Sequence, residues 1–150
     1  MRTLFLGICC CMVTACSSTE QRTYDLYLEN HTQRELTFGL VKNGPPPEYS
    51  WDAPEDIEYG GHSGDATWGI VVKPGEIGHL TLPGRFGSRT NAVLRVYANK
   101  RLVDELVAVM STDPYQIRQL VEPGKRTVLI EDPGSGLLAK WVKPARPAPP

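Results

Sequence analysis

The chain lacks a long apolar run, a disulfide framework and a surplus of charge of either sign. Its longest apolar stretch, Leu4–Val13, is ten residues, about half of what a helix needs to cross a bilayer core. All four cysteines fall in the first 16 of 150 residues, at Cys9, Cys10, Cys11 and Cys16. The remainder must be held by an apolar core rather than by cross-links. Sixteen basic side chains against 17 acidic ones leave a net charge of −1, which excludes a broadly basic nucleic-acid binder. No helical periodicity persists beyond eight residues, which argues against a helical fold.

Motifs for chemistry are also missing. His31, His62 and His79 stand far apart and form no zinc-ligand spacing. Gly61-His62-Ser63-Gly64-Asp65 has Asp65 where a nucleophile elbow needs its second glycine. The basic stretch Gly84–Thr90 lacks the Gly-Lys-Ser/Thr ending of a phosphate loop. The sequence therefore predicts no catalytic residue, no metal site and no cofactor.

What is present begins with an address. Arg2 precedes the apolar run, and Val13-Thr14-Ala15-Cys16 is followed by polar Ser17-Ser18-Thr19-Glu20. The run has signal-peptide length and flanks. A plain signal peptide cut elsewhere and an apolar N-terminal strand are the alternatives. Residues 1–18 resemble the signal peptide and lipobox of bacterial lipoproteins. That resemblance implies removal of residues 1–15, a diacylglyceryl group on the Cys16 thiol and acylation of the new amino group. Each buried CH₂ contributes roughly 0.8 kcal/mol, so several acyl chains hold far more firmly than one. The implied location is a cell membrane, and Ser17 implies an outer membrane facing the periplasm if the source is Gram-negative.

The mature chain reads as a short tether (16–22), a β domain (23–142) and a proline-rich tail (143–150). Period-2 alternation marks strands at Thr23–Glu29, with Tyr24, Leu26 and Leu28 inward, and at Arg34–Val41, with Leu36, Phe38 and Leu40 inward. Further strands are predicted at Ala66–Lys73, Ile77–Leu82, Asn91–Ala98, Arg101–Val109, Tyr115–Val121 and Arg126–Glu131, with a weaker one at Leu137–Val142. Trp68 shares a predicted core face with Ala66, Ile70 and Val72. A hairpin turning at Asn99-Lys100 would set Arg95 opposite Asp104 and Val96 opposite Val103. Asp113–Leu120 has a competing helix signal from a capping Asp and Pro114. Pro74-Gly75 and Pro123-Gly124 each supply the fixed φ and the positive φ of a sharp turn between strands. Such corners resemble those of immunoglobulin-like and fibronectin-type domains. The expected fold is all-β, a single antiparallel β-sandwich of about 7–8 strands.

The stretch Asn43–Asp65 runs 23 residues without a convincing strand, longer than the 12–15 or so usual in compact domains. It carries Tyr49, Trp51 and Tyr59, six acids and no Lys or Arg. Aromatics on a proline-braced loop suit a binding surface, although a solvated loop fits the same residues. Its carboxylates lack the ordered spacing of a calcium loop. Trp51 is the credible exposed platform for a glycan. Arg85 and Arg89, with Arg101, could meet anionic headgroups or an acidic partner. Residues 17–70 hold 3 basic and 10 acidic side chains and residues 71–150 hold 12 and 7, a hint of separate acidic and basic regions. The expected role is a non-catalytic, lipid-anchored envelope adaptor that docks a protein partner. Tyr49, Trp51, Tyr59, Arg85 and Arg89 are the candidate binding residues, and glycan or peptidoglycan binding is the alternative.

Overall fold

In a computed structural model, residues 19–43, 51–61 and 65–142 are described. The alternating segments form eight strands: β1 (Glu20–Asn30), β2 (Leu36–Asn43), β3 (Ile70–Val72), β4 (Ile77–Phe86), β5 (Asn91–Ala98), β6 (Gln116–Val121), β7 (Gly124–Glu131) and β8 (Leu138–Val142). Two short helices, α1 (Pro54–Tyr59) and α2 (Val103–Val107), complete the set. One sheet has the order β4-β1-β7-β8 and the other β3-β2-β5-β6, which makes the fold a β-sandwich. All pairings are antiparallel except β1 with β7, which run parallel.

The inward residues expected of β1 and β2 are the centre of the core: Tyr24, Leu26, Leu28, Leu36, Phe38 and Leu40 are all buried. Each such side chain stabilises the fold by roughly 1.5–3 kcal/mol relative to an exposed one. Both Pro-Gly corners carry the chain from one sheet to the other, β3 to β4 and β6 to β7. Gly75 at φ 78° and Gly124 at φ 94° supply the positive φ those corners need.

Several expectations are corrected. Residues 103–107 are helix α2, not strand, so the hairpin at Asn99-Lys100 does not form. Glu105 accepts the backbone N–H of Arg101 and Leu102 and starts the helix. Val103 and Leu106, three apart, then face the same buried cluster. Asn99 does take a positive φ of 56°, but it leads β5 into α2. Arg95 consequently lies opposite Arg118, and Val96 opposite Ile117.

The strand expected at Ala66–Lys73 is reduced to Ile70–Val72, with an isolated bridge from Thr67 to Leu102. Gly69, at φ 71° and tight against the Phe38 carbonyl, interrupts the alternation. Trp68 therefore covers Gly39 on the outer face of its sheet, while Val72 joins the core and Ile70 packs against it. The helix signal at Asp113 marks only a turn, whose Tyr115 N–H donates to the Asp113 carboxylate at 2.8 Å, before β6. β1 starts at Glu20 rather than Thr23, so it takes in the last residues of the expected tether.

Helix α1 lies inside the stretch expected to lack structure. Pro54 suits a first helical position, and Ala53 N–H donates to Asp56 at 2.8 Å. With α2 it covers the outer face of the β2–β5 sheet. There Val41, Trp68, Tyr97, Val103, Leu106 and Val109 form a second apolar cluster.

Candidate functional site

The strand register gathers charged residues from separate segments at one end of the sandwich. β1 enters here at Glu20, opposite Phe86, and residues 87–90 and 122–123 link the sheets here. The described strand ends and turns carry Arg22, Lys42, Arg85, Arg89, Lys125 and Arg126 against Glu20, Asp25 and Glu122. Arg22 pairs with Glu20 at 3.0 Å, and Arg126 pairs with Glu122. Arg22 also donates to the Thr90 carbonyl at 3.3 Å and lies 5.3 Å from the Phe86 ring centre. The Lys42 ammonium donates to the Arg85 carbonyl at 2.8 Å and stands over the rings of Phe86 and Trp51 at 4.7 and 5.7 Å. Arg85 and Arg89 are exposed and have no carboxylate partner among the described residues.

Trp51 belongs to this end, but as core. It is 8% exposed, edge-on to Tyr24 and Phe86 at 5.3 Å each, and its Nε1 donates to the Pro83 carbonyl at 3.3 Å. The expectation of an exposed Trp51 platform is thus corrected. β3 pairs only with Leu36–Phe38, and beyond it Trp51 fills the uncovered edge between β2 and β4. A cleft of about 190 Å³ separates Trp51 from Trp68. Both indole N–H groups are already taken by backbone carbonyls, that of Trp68 by Asp52 at 2.8 Å. Arg85 and Trp51 come together through Lys42. Arg85 is part of β4 rather than of a loop, and Arg89 lies in the following turn. Tyr59 ends α1, in the helical layer, and is 93% exposed. Arg101 lies at the opposite end, paired with Glu35. Cys16, Tyr49, His62, Ser63 and the tail 143–150 lie outside the described residues.

The outer face of the β2–β5 sheet holds a cluster the sequence did not reveal. Arg95 and Arg118 are cross-strand partners, a like-charge pairing that is unfavourable alone. Glu55 of α1 answers it, reaching Arg95 Nη1 at 2.6 and 2.8 Å and Arg118 at 3.8 Å. Burial works to raise the Glu55 pKa, but its own backbone N–H and Arg95 outweigh this and hold it below the ordinary value. The only signal in the sequence was an acid in the first turn of a helix it did not predict. A groove of about 410 Å³ runs beside the cluster, lined in part by Val93, Arg118 and Leu120.

On the outer face of the other sheet, His79 Nε2 lies 2.6 Å from Asp25, and Thr81 Oγ1 lies 3.1 Å from both. The grouping has the residue types of a hydroxyl–imidazole–carboxylate relay but not its geometry. A relay needs the carboxylate and the hydroxyl on opposite ring nitrogens, and here both meet Nε2. Tyr27 stacks on His79 at 4.2 Å, and Lys125 lies 5.0 Å from the Tyr27 ring centre. The hydrogen bond from His79 is the main cause holding the Asp25 pKa below its ordinary value.

The remaining feature is the lateral seam between β6 and β8, the edge strands of the two sheets on one side. A cleft of about 300 Å³ opens there, lined by Leu120, Glu122, Arg126, Trp141 and Val142. Leu120, Leu138 and Val142 expose 62%, 45% and 48% of their surface. Among the described residues no helix is long and apolar enough to cross a membrane, and no group of side chains is arranged to hold a metal ion. No family model matches this chain, and no curated protein is similar to it.

Proposed function

We propose that this chain is a lipid-anchored, non-catalytic module of the bacterial envelope that docks a protein partner. The observation that carries the docking reading is the β6/β8 seam. Two edge strands there have no further strand partner among the described residues and lie beside exposed Leu120, Leu138 and Val142. An extended segment of another protein can extend such an edge, with backbone hydrogen bonds giving affinity and the cleft receiving a side chain. The lipobox residues Val13–Cys16 supply the anchor. Among the described residues, the hydroxyl–imidazole–carboxylate grouping of Thr81, His79 and Asp25 is wired for structure rather than relay, which supports a non-catalytic role. Glycan binding loses its support with the burial of Trp51.

The test is photo-crosslinking in the native cell from a probe at Leu120, with a second probe at Gln33 on the opposite end as control. A discrete protein adduct from Leu120 and none from Gln33 is expected. No adduct from Leu120, in protein that is folded and membrane-bound, overturns the docking reading.

A further inference from the structure

We infer that the β1-entry end of the sandwich is a membrane-contacting surface that rests on anionic lipid headgroups. This inference deepens the anchoring reading and rests on it. Only Ser17, Ser18 and Thr19 separate Cys16 from the first residue of β1. At no more than about 3.6 Å per residue, four residue steps span about 14 Å. A lipid held in the bilayer through Cys16 therefore keeps this end of the domain close to the headgroups, within reach of their surface potential.

The same end carries the charge surplus. Among the described residues, six basic side chains stand against three acids, Glu20, Asp25 and Glu122, at its strand ends and turns. Arg85 and Arg89, on β4 and the turn after it, project from the point where β1 begins. Glu20 lies opposite Phe86, and Gln21 opposite Arg85. Arg22, paired with Glu20, and Lys42 are held by backbone carbonyls and aromatic rings, so they brace the strand ends from which the exposed Arg85 and Arg89 meet a headgroup. The opposite end behaves differently. Its loops at 31–35, 73–76, 99–101 and 131–132 hold four basic and four acidic side chains. Arg34 is closed on Asp132 at 2.9 Å, and Arg101 on Glu35. Short tether and unbalanced charge coincide at one end, and neither occurs at the other. The occupant this fits is a phospholipid surface rich in phosphatidylglycerol-type headgroups.

The test uses the full chain, purified from bacterial membranes in detergent and reconstituted into vesicles. A fluorophore is placed at Ser88→Cys on the β4–β5 turn or at Gln33→Cys on the opposite end, and brominated lipids serve as quencher. In vesicles with 30% phosphatidylglycerol, quenching at position 88 is expected to exceed that at position 33 at least fivefold. The contrast should shrink severalfold in neutral phosphatidylcholine, at high salt, and with Arg85→Glu combined with Arg89→Glu. Equal quenching at both positions, including none at either, overturns the inference. So does a contrast that survives the double charge reversal. The intact mass of the same sample reports the anchor separately. An unmodified Cys16 sinks the anchoring reading, while the comparison of positions 88 and 33 still decides which end meets the lipid.

Discussion

The two ends of this sandwich are built from the same parts, strand ends joined by tight turns and one Pro-Gly corner each, yet they treat charge differently. At the end away from β1 entry, the loops are closed by hydrogen bonds and ion pairs within the chain, and basic and acidic side chains balance. The buried Asn30 side chain donates to the carbonyls of Arg34 and Val72 at 2.8 and 3.0 Å and accepts from Thr32 N–H at 3.0 Å. Arg34–Asp132 and Arg101–Glu35 close the loops over it. At the entry end the aromatic trio Tyr24, Trp51 and Phe86 packs tightly below the surface, while Arg85 and Arg89 project with no carboxylate partner among the described residues. Both ends use ion pairs to hold their own turns, but only the entry end adds a surplus of cations, led by the exposed Arg85 and Arg89.

This contrast can be broken by substitution. The largest effect is expected below the entry end. Phe86→Ala removes a fully buried ring that touches Tyr24 and Trp51 and should cost about 3–5 kcal/mol of stability in denaturant unfolding. A loss under about 1 kcal/mol would mean that the aromatic trio does not hold this end. Glu55→Ala comes next. It leaves Arg95 and Arg118 facing each other across β5 and β6, with the Arg95 side chain only 14% exposed. A loss of about 1–2 kcal/mol is expected, because the pair is part-buried rather than sealed from water.

Acid should act unevenly on the two ends. Hydrogen bonds from Arg101 and from Arg34 are the main causes holding the Glu35 and Asp132 pKa values below their ordinary 4.5 and 3.8. A carboxylate whose pKa is depressed by folding contributes stability that is present above its unfolded value and is lost as pH falls through the folded one. Stability should therefore decline as the pH falls below about 4. Hydrogen exchange should rise first in residues 31–35 and 131–137, ahead of 84–91. Simultaneous opening of both ends would remove the distinction. The smallest effect belongs to Arg85→Glu, an exposed side chain that forms no ion pair among the described residues, where the change in stability should stay within about 0.5 kcal/mol. A larger loss would give Arg85 a structural role.

Much of this architecture was legible as sequence. The period-2 runs of β1 and β2 placed six core residues correctly, because alternation between a wet and a dry face is what a sandwich strand requires. The Pro-Gly corners also appear where expected. Trp68 misled because a single glycine, Gly69, reverses the face on which its neighbours lie, and no count of alternation shows a φ of 71°. Helix α2 is five residues long, too short for a helical period to stand out from an alternating one, and its start rests on the tertiary cluster under Val103 and Leu106. Trp51 sits among prolines and acids, a surface composition. It is drawn inward because β3 is short and leaves an edge of the core to be filled. The charged end was invisible as a set. Its six cations come from separate stretches of the chain, and only the strand register brings them together.

The most direct test of the account is the intact mass of the protein extracted from membranes of its native cell. The account predicts a chain that begins at Cys16, with residues 1–15 gone and the added mass of a diacylglyceryl group and an acyl chain, and a Cys16→Ser variant that loses both the added mass and its hold on the membrane. A chain of unmodified mass that stays membrane-bound, or a Cys16→Ser variant that remains attached at wild-type mass, would contradict it.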